Sequence, residues 1–169
     1  MEKKIAVLVT NMVQDDELAV PTDAMRQAGY SVTLINGSTD DISGVMGRSF
    51  SIDAAIDDVK PEDFDALFLP GGFSPDQLRT DERFVSFVRY FLINNRSLFT
   101  ICHGPQFFIQ SGLINGRKLT SYESIRPDLY LAGAITLDQP VVEDGNLISS
   151  RTPDDLPQFV PAILQALAK

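Results

Sequence analysis

Short uninterrupted apolar runs alternate along this chain with longer stretches in which apolar residues return every three or four positions. Residues 4–10 are apolar almost throughout and predict a buried strand. Residues 16–28 predict a helix stopped by Gly29, with Pro21 inside it, so the helix should begin near that proline or kink there. A second strand is expected over 31–35, a short edge strand over 49–54 and a helical turn over 55–59. Residues 66–69 read as a third buried strand running into Pro70-Gly71-Gly72.

A short helix is expected over 75–80. Residues 82–94 form a clear amphipathic helix, with Phe84, Val85, Val88, Phe91 and Leu92 on one side. A further buried strand spans 98–101, and 104–112 reads as a helix with Pro105 in its first turn. A strand at 119–120, a helix over 125–132 and an extended piece at 135–137 follow. Residues 140–142 and 147–150 flank Asp144-Gly145, a strong hairpin signal. Thr152-Pro153-Asp154-Asp155 opens the last helix, which runs to about Leu167: a cap, a proline, then two acids against the helix dipole.

Strands that alternate with helices and are apolar on both faces predict an α/β fold. It should have a mainly parallel sheet, helices on both sides and one domain over residues 1–169. In such sheets ligands bind at the carboxyl ends of the strands. Two of those ends carry unusual residues here, Gly71-Gly72 and Cys102-His103.

Composition narrows the chemistry. Apolar residues make up 44% of the 169 and charged residues 22%, an ordinary globular balance. The net charge of −9 repels phosphate backbones and anionic lipid, so neither nucleic acid nor membrane is expected as a partner. No apolar run reaches the length of a membrane span, and the run after Lys4 is too short for a signal peptide. With one cysteine an internal disulfide is excluded, and a reducing cytoplasm is the expected compartment. One cysteine and one histidine also exclude a Cys/His zinc site, and no loop is spaced for magnesium or calcium, so no metal or other cofactor is expected.

That single cysteine and single histidine are neighbours, Cys102-His103. Taken apart, a lone cysteine is most often a small buried hydrophobe and a lone histidine surface decoration. Their adjacency at a strand-to-helix junction changes that reading. A turn this tight strains its central residue and needs small neighbours two positions away, here Thr100 and Gly104, as in a nucleophile elbow. It lifts the thiol off the sheet and turns the positive end of the following helix towards the sulfur. The His103 N–H is then placed to donate to an oxyanion, with Gly72 as the expected second donor. A base directly after its nucleophile needs an orienting carboxylate. Glu17, Asp76 and Asp154 are the candidates, and spacing does not choose among them.

Ile101-Cys102-His103-Gly104-Pro105-Gln106 resembles the nucleophile motif of the ThiJ/PfpI superfamily, in its PfpI-type intracellular protease branch. The segments 64–72, 115–122 and 149–156 are similar to family segments as well, so the resemblance covers nearly the whole chain. It implies a flavodoxin-like three-layer sandwich of the class I glutamine amidotransferase type, with Cys102 as nucleophile and His103 as its partner. It further implies Glu17 as a protonated acid hydrogen-bonded to the thiolate, and oxyanion donors at the backbone of Gly72 and His103. The third catalytic member falls on Asp76, supplied by a neighbouring subunit of a homodimer or larger assembly, where relatives have a glutamate one methylene longer. Tyr122 matches a tyrosine near the pocket. Gln14 and Val45 stand where relatives often have an acid and a lysine.

The expected function is therefore a cysteine-nucleophile enzyme acting on carbonyls: an intracellular peptidase, or a deglycase or glyoxalase, with a small carbonyl or peptide as substrate. The alternative is a redox-sensing stress protein or chaperone that uses an oxidisable cysteine without turnover.

Overall fold

The computed structural model describes residues 2–169. Its first half runs through strand β1 (Lys4–Leu8), helix α1 (Asp15–Gln27), strands β2 (Ser31–Asn36), β3 (Ile42–Ser43), β4 (Ser49–Phe50), β5 (Ala54–Ala55) and β6 (Ala66–Leu69), and helix α2 (Ser74–Leu78). Then come helix α3 (Glu82–Ile93), strand β7 (Ser97–Ile101), helix α4 (Gln106–Ser111), strand β8 (Lys118–Leu119) and helix α5 (Arg126–Leu131). Strands β9 (Ile135–Thr136), β10 (Val141–Asp144) and β11 (Leu147–Ser150) and helix α6 (Leu156–Leu167) complete it.

Seven strands form one sheet in the order β10-β11-β7-β6-β1-β2-β5. Its pairings are parallel except for the β10–β11 hairpin, whose turn is made by Gly145 at φ 58°. The five longer parallel strands follow the flavodoxin-type order, with the switch point between β1 and β6. Period-two alternation sorts each strand onto two cores. Ile5, Val7, Phe68 and Phe99 pack with Leu18 and Met25 of α1 and with Phe159 and Ile163 of α6. Ala6, Leu8, Leu67 and Leu98 pack on the other face with Phe84, Phe91, Phe107 and Leu129 of α3, α4 and α5. The expected α/β sandwich with helices on both sides is the one observed. Among the described residues no helix is long and apolar enough to cross a membrane.

Three local expectations change. Helix α1 does not start near Pro21: it begins at Asp15, with the Gln14 side chain accepting from the Glu17 N–H at 2.9 Å. Pro21 lies inside the helix and leaves the Glu17 carbonyl without its helical donor. The single edge strand expected over 49–54 is two pieces. Strand β4 pairs antiparallel with β3 outside the main sheet, whereas β5 pairs with β2 at the sheet edge. Helix α4 is only six residues long and begins at Gln106, four residues after Cys102. An extended helix dipole therefore does not stand behind the sulfur; individual N–H groups do.

Candidate active site

The β7–α4 junction is the predicted elbow. Cys102 has φ 61°, a left-handed conformation that costs a non-glycine residue about 1–2 kcal/mol. Its backbone is held on both sides: its N–H donates to Ser150 O at 3.1 Å, and its carbonyl accepts from Tyr122 N–H at 3.0 Å. Gly104 closes the turn by donating to Ile101 O at 2.9 Å. A Cβ on Gly104 would collide with Thr100 Oγ1 and the Leu69 carbonyl, so the elbow closes only over glycine.

The carboxyl end of β6 wraps the sulfur. The N–H groups of Gly72 and His103 both reach it, and the Cys102 residue keeps only 7% of its surface exposed. Gly72 has φ 71°, and an added Cβ would meet backbone atoms of Met12, Val13 and Gln14. At Gly71 a side chain would strike the Glu17 carboxyl and Cys102 Cβ. The two glycines thus let two segments of backbone and one acid close around a single atom.

Glu17 is fully buried one turn into α1. Its Oε1 accepts from Gly71 N–H at 3.0 Å, and the carboxyl lies against Cys102. Oε2 has no hydrogen-bond partner among the described residues. Burial pushes the Glu17 pKa up from 4.5 to about 8, which leaves it protonated at neutral pH. Burial also raises the Cys102 thiol, and an ionised Glu17 raises it further, whereas the Gly72 and His103 N–H groups lower it. The Glu17 contribution reverses once the carboxyl holds the proton, because a neutral acid donates to a thiolate instead of repelling it.

His103 lies against this arrangement, with its ring centroid 5.2 Å from Tyr122 and 6.0 Å from Phe73. Its ring makes no hydrogen bond to the sulfur among the described residues. Its Nδ1 lies 3.0 Å from Gln106 Nε2 and 3.6 Å from Asp76 Oδ1, on α2 of the same chain. The loop after Gly72 folds back to place Asp76 beside His103 within one chain, and Gln106 Nε2 stands between them, also donating to Asp76 Oδ1. Asp154 lies outside this group and lines separate surface depressions.

Cys102, His103, Glu17, Gly72, Tyr122, Gln14 and Val45 meet, with Phe73, Ser124 and Pro153, around a cleft of about 570 Å³ at the carboxyl ends of the strands. A depression of about 660 Å³ near Lys4, Tyr30 and Lys169 is larger, but it adjoins the amino end of β1 and carries no nucleophile. Residue spacing did not single out Gln106 or Asp15. Gln106 stands three residues after His103, a separation at which side chains meet on a helical turn. Asp15 is buried and accepts from Met46 N–H at 3.0 Å and Arg48 N–H at 2.9 Å, which holds the loop carrying Val45 over the cleft.

The chain is similar to known proteins along nearly its whole length. The DJ-1/PfpI family profile matches residues 3–166. General stress protein 18 of Bacillus subtilis is 47% identical over the full length of both chains. Protein/nucleic acid deglycase 2 of Escherichia coli is 49% identical, over 99% of each chain. YraA of Bacillus subtilis, named as a candidate cysteine protease, is 49% identical over 94% of this chain and 95% of its own. Among solved structures, a two-domain protein of Anabaena variabilis with DJ-1/ThiJ/PfpI-like and ferritin-like domains superimposes with a TM-score of 0.96 at 36% identity. That match covers 99% of this chain and 48% of the other, so this chain spans about half of it. Drosophila melanogaster DJ-1beta gives a TM-score of 0.92 at 27% identity, over 99% of this chain and 91% of its own.

Proposed function

The chain belongs to the DJ-1/PfpI family and has PfpI-type cysteine enzyme function, and we propose that it acts on small reactive carbonyls and their early protein adducts, as a deglycase or glyoxalase does. The observation that carries this reading is the left-handed Cys102, whose sulfur meets two backbone N–H groups and a buried acid at the floor of a cleft.

In this reading Glu17 and Cys102 hold one proton between them, and it rests on Glu17. As an anion the sulfur has three donors (Gly72 N–H, His103 N–H and the Glu17 O–H), whereas a Glu17 carboxylate would have Gly71 N–H and a weak thiol donor. The thiolate attacks the carbonyl carbon. A C–S bond forms, and the carbonyl π pair moves to oxygen. The Gly72 and His103 N–H groups receive the oxyanion, a contribution of about 3–4 kcal/mol per donor in comparable sites. With an aldehyde the product of this step is the alkoxide of a hemithioacetal, held by those N–H groups. With a peptide it is a tetrahedral species that must expel an amine.

The cleft of about 570 Å³ suits a small carbonyl better than an extended peptide. The net charge of −9 favours free aldehydes and protein adducts over nucleic acid. Side-by-side turnover of methylglyoxal and a fluorogenic peptide, each with Cys102→Ala as control, tests this reading. Methylglyoxal should be consumed and the peptide spared. Preferential cleavage of the peptide would establish the peptidase alternative. A second reading, redox sensing, is favoured by the likeness to a general stress protein. It predicts a stable gain of two oxygens on Cys102 after mild peroxide, with no carbonyl turnover.

The proposal includes a reducing cytoplasm, where a lone thiol stays reduced, and a homodimer or larger assembly. Sedimentation measures the assembly, and the Asp76–His103 approach is already present within one chain.

A further inference from the structure

Gln106 is 5% exposed, and each polar atom of its amide has a partner. Its Oε1 accepts from Arg79 Nη1 at 2.9 Å, and Arg79 Nη2 is anchored on Gln110 Oε1 at 2.9 Å. Its Nε2 has two hydrogens and two neighbours, Asp76 Oδ1 and His103 Nδ1, the latter at 3.0 Å. Arg79 can only donate and an ionised Asp76 can only accept, so the amide orientation is fixed twice over. Turning it round would set amide N–H against guanidinium N–H and amide oxygen against carboxylate.

With Nε2 of Gln106 donating, His103 Nδ1 must accept, and the neutral ring carries its proton on Nε2. Neither Gln106 nor Asp76 lines the cleft, whereas His103 does. The His103 Nε2–H is therefore on the ring edge away from Gln106 and has no partner among the described residues.

We propose that the Arg79–Gln106 pair holds His103 in its Nε2–H tautomer, so that the ring meets the substrate carbonyl as a hydrogen-bond donor and not as a base. Gln106 and Arg79 are positioning residues that act through His103. The ring adds a donor to those of Gly72 and His103 N–H, and no proton leaves it in the attack step. Neutral imidazole is known to serve as an electrophile of this kind. The inference rests on the carbonyl-directed reading of the same cleft and specifies how the substrate oxygen is met there.

The chain contains one histidine, so a histidine-labelled sample gives one pair of ring nitrogens to assign. Nitrogen NMR of the wild-type protein, at a pH where the ring is neutral, should show Nε2–H exceeding Nδ1–H by about tenfold or more, the ratio given by a preference of about 1.4 kcal/mol. Gln106→Glu puts an acceptor against Nδ1 and should move the proton to Nδ1. Arg79→Met combined with Asp76→Asn removes both anchors of the amide, frees it to turn and should yield a mixture. An Nδ1–H tautomer in the wild-type protein overturns the proposal. So does an Nε2–H tautomer that persists unchanged in Gln106→Glu and in the Arg79→Met, Asp76→Asn double variant, or in the double variant if Gln106→Glu does not fold. The spectra need no substrate, so this inference fails separately from the enzymatic reading, which the turnover assays decide.

Discussion

Replacing Cys102 with serine should make stability depend on pH where the wild-type protein does not. In the unfolded chain Glu17 loses its proton near 4.5 and the thiol near 8.5. Between those values the unfolded pair holds one proton, on sulfur. In the folded protein, on the proton placement proposed above, the pair also holds one proton, on Glu17. Folding then moves a proton without binding or releasing one, and this pair contributes no slope.

In Cys102→Ser the unfolded chain holds no proton at this site above 4.5, but the folded Glu17 keeps its proton up to about 8. The folded-state pKa is raised, so the associated stability is fully present below 4.5 and is lost as pH rises towards 8. The loss is about 1.4 kcal/mol per pH unit, or about 5 kcal/mol across the window. Small domains have about 5–15 kcal/mol in all, so the effect is large. Urea denaturation at half-unit steps from pH 4.5 to 8, for both proteins, measures it. The expected result is a difference between them that grows with pH. A wild-type curve falling with the same slope as the variant would mean that the folded pair holds two protons and no thiolate. Two parallel flat curves would mean that Glu17 is ionised in the fold. Either would refute the proton placement.

Gly72→Ala should cost several kcal/mol and abolish turnover, because the new Cβ meets backbone atoms of Met12, Val13 and Gln14 at a left-handed φ; thermal melting and steady-state kinetics check both effects. Asp15→Ala should cost about 1–3 kcal/mol by stranding the Met46 and Arg48 N–H groups. Hydrogen exchange should then speed up at those two amides, and KM should rise more than kcat falls, since the loop carries Val45 at the cleft and not the sulfur.

Much of this is written in the chain because it depends on local patterns. The parallel sheet follows from short apolar runs, and the elbow from a cysteine between Thr100 and Gly104 at the end of one of them. The β3–β4 pair was not legible, since Ile42–Ser43 is two residues long in a polar stretch and is defined by its partner 49–50. Helix α1 passes through Pro21 because Gln14 caps it upstream and the apolar face is buried on the sheet, and tertiary packing overrides the local signal. The site was legible as a list of residues but not as a set of contacts. Nothing in the spacing says that Asp76 approaches His103 within one chain, or that Gln106 comes between them, because that depends on how α2 and α4 pack.

The central claim is that the Cys102 sulfur does the chemistry, and kcat/KM for methylglyoxal in Cys102→Ala against wild type tests it most directly. The expected result is a fall of at least about a thousandfold with an unchanged urea midpoint at pH 4.5, where the Glu17 linkage contributes nothing. Turnover in Cys102→Ala equal to that of the wild-type protein would contradict it.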